Sequence, residues 1–228
     1  MNSSLLKLLH LTDPTLPIGG FSHSAGLETY VQQQKVKDAA TAKEFVMQML
    51  SKNIHYTDAA FVSLVFDAAS QSNLTRIVEL DEMCTAVKLP EEIRMASAKM
   101  GRRLLKIFEP LNNHELINTY NDLVKSKQTS GNHCVAFGLI SATMSIQKKE
   151  ALTGFYYNAA AGFITNSVKL IPLSQQSGQE ILFSLHEMID ELAKKNMNPD
   201  KELIGLCCSG FDIKSMQHER LYSRLYMS

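Results

Sequence analysis

The chain has no C-x-x-C pair and no excess of charge of either sign, and each absence closes off a class of function. Its 23 lysines and arginines are matched by 23 aspartates and glutamates, so no net field draws it to polyanions or anionic membranes. Neither nucleic acid nor a membrane surface is expected as a partner. The four cysteines stand at 84, 134, 207 and 208. The adjacent pair at 207 and 208 can hardly close an ordinary disulfide, so the thiols read as reduced and the chain as cytoplasmic.

Catalytic motifs are missing as well. A P-loop needs G-x-x-x-x-G-K-[ST], yet Gly19-Gly20 is followed by Phe21 and Ser22 with no lysine in place, so hydrolysis of GTP or ATP is not expected. No G-x-S-x-G occurs. His218-Glu219 continues with Arg220 and Leu221 and reaches Tyr222 where a metalloprotease would carry its second histidine. Runs with strand-like alternation are nearly absent.

What is present is helical periodicity on 228 residues, 45% of them hydrophobic, enough for one sizeable core in a single domain spanning 1–228. The pattern predicts an all-α fold of about eight to ten helices. In TAKEFVMQML, Thr41 and Glu44 have the spacing of a capping box. Phe61, Leu64, Val65, Ala68 and Ala69 lie on one helical face, with Thr57 as the expected cap.

Pro90 suits a first helical position, and Ile93, Ala96, Met100, Leu104 and Phe108 form the stripe behind it, with Gly101 as a packing notch. Ser177 and Glu180 suggest a second box, followed by Ile181, Leu185, Met188, Ile189 and Leu192 and closed by Lys194 and Lys195. ELINTYNDLVKS, CVAFGLISATMSI and ALTGFYYNAAAGFITNSVKLI add three more helices, the last two apolar on most faces.

The N-terminal MNSSLLKLLHLTDP reads as a short buried helix, since it has one lysine and no small-residue cleavage site. Residues 151–168 carry no charge, but Asn158 and Asn166 make the segment too polar to span a membrane. It is the candidate dimer face, with Tyr156 and Tyr157, although a monomer core explains the same residues. The soft-ligand candidates for a metal are His23, Cys207, Cys208 and His218, each weighed against a structural histidine or a buried reduced thiol.

Three blocks carry a resemblance. LTDPTLPIGGFSHSAGLETYV, SVKLIPLSQQSGQEIL and DIKSMQHERLYSRLYMS, in that order, resemble the signatures of the UreF family of urease accessory proteins. Ser174 and Tyr226-Met227 depart from the commoner family residues. The resemblance implies an all-α homodimer without catalysis, which bridges the GTPase UreG to UreD (UreH in some species) and serves nickel delivery to apo-urease. It implies no stably bound cofactor, nickel being handled in transit.

On that footing the candidate partner-binding residues are Gly19, Gly20, Phe21, Ser22 and Lys169, with Met216, His218, Glu219, Arg220, Tyr222, Arg224, Leu225 and Tyr226 in a docking tail over 212–228. The tail's apolar and aromatic anchors beside two arginines have the composition of an interface hot spot. Two readings from other classes stand beside this one: an all-α metal-dependent enzyme, and a helical ligand-sensing regulator.

Overall fold

Helical periodicity is realised throughout: the computed structural model describes residues 4–227, the Phe21 side chain excepted, and among them there are twelve α-helices and no strand. They are α1 (Ser4–Leu11), α2 (Leu27–Gln32), α3 (Ala39–Gln48), α4 (Asp58–Ser70), α5 (Leu74–Val87) and α6 (Glu91–Asn112). The second half holds α7 (Glu115–Lys125), α8 (His133–Thr143), α9 (Lys148–Leu170), α10 (Gln175–Ser184), α11 (His186–Lys195) and α12 (Ser209–His218). The count exceeds the expected eight to ten because α2 and α5 lack a clean stripe and because one expected helix is two. That one breaks at the buried Leu185, giving α10 and α11.

Several local expectations are corrected by the geometry of the caps. At α3 the cap is Asp38, whose carboxylate accepts the Thr41 amide at 2.9 Å while Thr41 Oγ1 accepts the Asp38 amide at 3.1 Å. Thr41 is therefore the third residue of a box that starts three positions earlier than expected, and Glu44 bonds only to Gln48. At α10 the cap is Ser174, accepting the Ser177 amide, and not Ser177 itself. Pro90 stands just before α6 and not inside it. Thr57 precedes α4, but its hydroxyl reaches back to Asn53 O and does not cap the helix.

The N-terminal helix is not buried. Only Leu11 of α1 is inside, whereas Leu5, Leu6 and Leu9 are 61%, 69% and 56% exposed.

The core is built around α8, which packs between α4 and α6 and is buried at every residue from Cys134 to Ser141. Close approach is bought by glycine. A Cβ on Gly138 would stand 2.7 Å from Val62 O of α4, and one on Gly101 of α6 would stand 2.6 Å from Asn132 C and 2.7 Å from His133 N. The segment leading into α8 cannot retreat from α6, because the buried Asp81 of α5 holds it. Its carboxylate accepts the Thr129 hydroxyl, the Gly131 amide at 2.7 Å, the Asn132 amide at 2.9 Å and Asn132 Nδ2 at 2.8 Å. A buried carboxylate is tolerated because each oxygen is saturated with donors.

The long α9 packs against α4, α10, α11, α2 and α3, and α3 also meets α10, so one hydrophobic cluster runs from Leu11 to Phe211. A π-helical turn, Met49–Ile54, links α3 to α4. No helix among the described residues is long and apolar enough to cross a membrane.

Candidate functional site

The glycine loop is a fixed corner. Gly19 has φ 86°, a left-handed conformation that a side chain would strain, and Gly20–Ser22 follow as one 3-10 turn. Ser22 Oγ donates to Gly19 O at 2.7 Å, Arg103 of α6 donates to Ile18 O at 3.2 Å, and Asn166 of α9 donates to His23 O at 2.9 Å. The loop is thereby tied to two helices.

The tail lies on this corner. Met227 N donates to Ser22 O at 2.9 Å. Two residues past the loop's second positive-φ glycine, Gly26, the buried Glu28 receives Leu225 N at 2.8 Å, Tyr226 N at 3.2 Å and His218 Nε2 at 3.2 Å. His218 Nδ1 meets Glu92 of α6 at 2.7 Å, and the other oxygen of Glu92 takes Arg224 at 2.8 Å. Each ring nitrogen of His218 thus faces a carboxylate, which ties the tail to α2 and α6 at once. The imidazole held between two carboxylates makes a buried clasp.

The sequence-predicted tail residues therefore divide into two sets. His218 and Tyr226 turn inward, at 0% and 7% exposure, and Arg224 reaches back to α6. Met216, Glu219, Arg220, Tyr222 and Leu225 face outward, with Tyr222 fully exposed and Leu225 68% exposed. The clasp fixes the backbone, and the outward set is what a partner would meet.

The soft-ligand candidates do not converge. Cys207 is exposed and donates to Asp212 at 3.1 Å, and that hydrogen bond, with some burial, raises its thiol pKa. Cys208 is the residue before α12, His218 is locked in the clasp, and His23 is half-buried beside a cavity. Burial pushes the His23 pKa down, helped by Lys99 and Arg103. Among the described residues no group of three or more His, Cys, Asp or Glu side chains could hold a metal ion. Tyr156 is also inside, bonded to His55 and Asn196, and only Tyr157 of the expected dimer pair faces out.

The comparisons with known proteins agree with this reading of the signatures. The UreF family model matches residues 36–186. A urease accessory protein UreF of Actinobacillus pleuropneumoniae serotype 5b (strain L20) is 47% identical, with 97% of each chain covered. That of Haemophilus influenzae (strain PittEE) is 48% identical, covering 99% of this chain and 96% of its own. That of Bacillus sp. (strain TB-90) is 30% identical over 98% and 99%. The chain belongs to the UreF family.

As a UreF-family urease accessory protein, it brings two of its three signature blocks together: α2 and the tail meet at Glu28, and the glycine loop meets the tail at Ser22. Sequence reasoning missed Glu28 and Glu92 as partners of the tail. The one available signal was an acidic residue inside each of two apolar-rich segments. Lys169, by contrast, stands exposed at the end of α9, away from the clasp's contacts.

A second polar group lies deeper. Lys88 Nζ bonds both oxygens of Asp58, at 2.8 and 2.7 Å, with side-chain exposures of 7% and 15%. Although burial opposes its charge, Lys88 holds Asp58 below the usual carboxylate range, and Asp58 in turn raises Lys88. Beside them His133 is pushed down to about 4, by burial first and then by Lys88, against the pull of Asp58.

This fixes a sign for acid stability. An unfolded histidine protonates near pH 6.5 and the folded one only near 4, so between these values the unfolded chain holds the extra proton. Stability should fall as pH drops from about 6.5 to 4, with His133 contributing on the order of 3 kcal/mol of that loss. Urea titrations across this range should show a shallower slope in His133→Gln. An unchanged slope would remove His133 as the cause.

Proposed function

We propose that the protein is a cytoplasmic, non-catalytic adaptor of urease maturation that bridges the GTPase UreG to UreD/UreH and assists GTP-dependent nickel insertion into apo-urease. The observation that carries this reading is the clasped tail: its backbone is secured to Glu28 and Ser22 while Tyr222, Leu225 and Met227 project outward. Large side chains held in place by a rigid support bind with little ordering cost, and aromatic anchors are where interface energy concentrates. Such a protein holds no resident cofactor, and nickel is cargo.

An adaptor couples hydrolysis to metal release by binding one nucleotide state of UreG better than the other, since a partner indifferent to the two states shifts nothing. Lys169, exposed at the end of α9, is the residue we assign to UreG. Tyr157, Phe183 and His186, whose rings cluster at 6.2 and 5.1 Å around His186 with Phe183 75% exposed, are the face we assign to a second copy. That face supports homodimerisation better than Tyr156 does.

The test is co-purification with UreG and UreD/UreH, with and without GTP and nickel. Tyr222→Ala combined with Leu225→Ala should weaken UreD/UreH capture at least about tenfold while leaving the circular dichroism unchanged, because neither side chain is packed. Lys169→Ala should retain UreD/UreH and lose UreG. Wild-type capture by the double variant would refute the tail as the docking surface.

A further inference from the structure

A cavity of about 150 Å³ lies between the π-helical turn, α6, α9 and α12, with His23 and Ala25 of the segment after the glycine loop among its lining. Met49, Met100, Phe155 and Phe163 supply apolar wall, and His133 and the Asp58–Lys88 pair supply its polar side. His133 is half-buried and lines this cavity. Its backbone amide bonds to Ser97, and its ring packs beside Phe137 and Phe155. Neither ring nitrogen has a hydrogen-bond partner among the described residues.

A partly exposed imidazole on a cavity wall offers its donor and its acceptor to whatever enters that cavity. The π-helical turn that contributes Met49, Asn53 and Ile54 to the wall is a second, independent sign. Such turns are rare and recur at ligand sites, because the extra residue per turn widens the local backbone. A smaller cavity of about 30 Å³ shares Asn53, Asp58, Lys88, Ile93 and Phe211 with the first and continues to Leu206, Cys207 and Cys208.

The charges decide the class of occupant. Asp58 and Lys88 cancel, and both His133 and His23 are held towards the neutral form, so the lining offers no net charge to balance a cation or an anion. We propose that this cavity is a binding site for a small uncharged molecule with an apolar body and one hydrogen-bonding group, which pairs with the His133 ring. Its size is that of a single aromatic ring: an engineered cavity of about 150 Å³ takes up benzene.

The experiment is an NMR titration of the whole chain carrying 13C-methyl methionine and 15N histidine, with phenol, benzene and nickel chloride as probes. Phenol should shift the Met49 and Met100 methyls and the His133 ring nitrogens together, saturating at one equivalent. Benzene, which lacks the hydroxyl, should bind about fivefold or more weakly. His133→Phe, which fills the space and removes the nitrogens, should lose phenol binding at least about tenfold, and His133→Gln, which keeps a donor and an acceptor, should retain part of it. No saturable phenol shift, or equal binding by His133→Phe, would overturn the assignment. Nickel moving the same resonances where phenol does not would also overturn it, in favour of a metal.

Discussion

Gly101→Ala is expected to cost at least about 3 kcal/mol and to lower the melting temperature by roughly 10 °C, although alanine is the better helix former. In an exposed helix the same change stabilises by up to about 1 kcal/mol, so the sign itself is the test. At position 101 the new Cβ meets the main chain of Gly131, Asn132 and His133, and no flexible side chain is available to yield. Nor can the main chain move, because the Asp81 carboxylate fastens residues 129, 131 and 132 to α5. Gly162 of α9 is the control, since a Cβ there meets nothing within 4 Å. Gly162→Ala should be neutral or stabilising by urea unfolding. If the two variants behaved alike, the close passage of α6 over the start of α8 would be refuted.

Glu28→Ala should have the next largest effect, about 3 kcal/mol, with its consequences concentrated in the tail. It strips three donors of their acceptor at once and leaves His218 facing Glu92 alone in a buried site. Amide exchange at Leu225 and Tyr226 should become fast while the amides of α8 stay protected, because the core cluster does not pass through Glu28. Glu28→Gln, with one oxygen remaining, should fall between. If tail presentation is what partners require, Glu28→Ala should also reduce UreD/UreH capture as far as the Tyr222 and Leu225 changes do, although residue 28 is itself buried. Slow exchange at residues 225 and 226 in Glu28→Ala would sink the clasp.

The sequence made the helices legible where one apolar stripe was unambiguous. The stripes of α4 and α6, the near-uniform apolarity of α8 and the notch at Gly101 all follow from spacing alone, and each is realised. Periodicity does not say whether a stripe finds a partner. The leucines of α1 have a helical spacing, yet three of them point to solvent because the helix touches the body only along a narrow edge. Overlapping cap signals were also ambiguous. Asp38 to Thr41 and Thr41 to Glu44 share one spacing, and the extended backbone at Asp38, φ −148° and ψ 177°, selects the earlier.

At the site, the loop and the tail were each recognisable, but their union was not. Glu28 and Tyr226 are 198 positions apart, and no local pattern encodes such a contact. The cavity was less legible still, since its wall is gathered from residues between His23 and Phe211. The π-helical turn that shapes it differs from an α-helix by one residue per turn, too little to mark a composition.

The order of the tail's attachments has a mechanical meaning. Met227 is held to Ser22, Tyr226 and Leu225 to Glu28, Arg224 to Glu92, and last His218 to both acids. A pull applied at the far end loads these fastenings one after another, like a strip of tape being lifted, so each yields at small force. A pull along the axis of α12 would load them all together. A hold taken beyond Tyr222 therefore peels the strip stepwise, in the same order in which a fraying end opens.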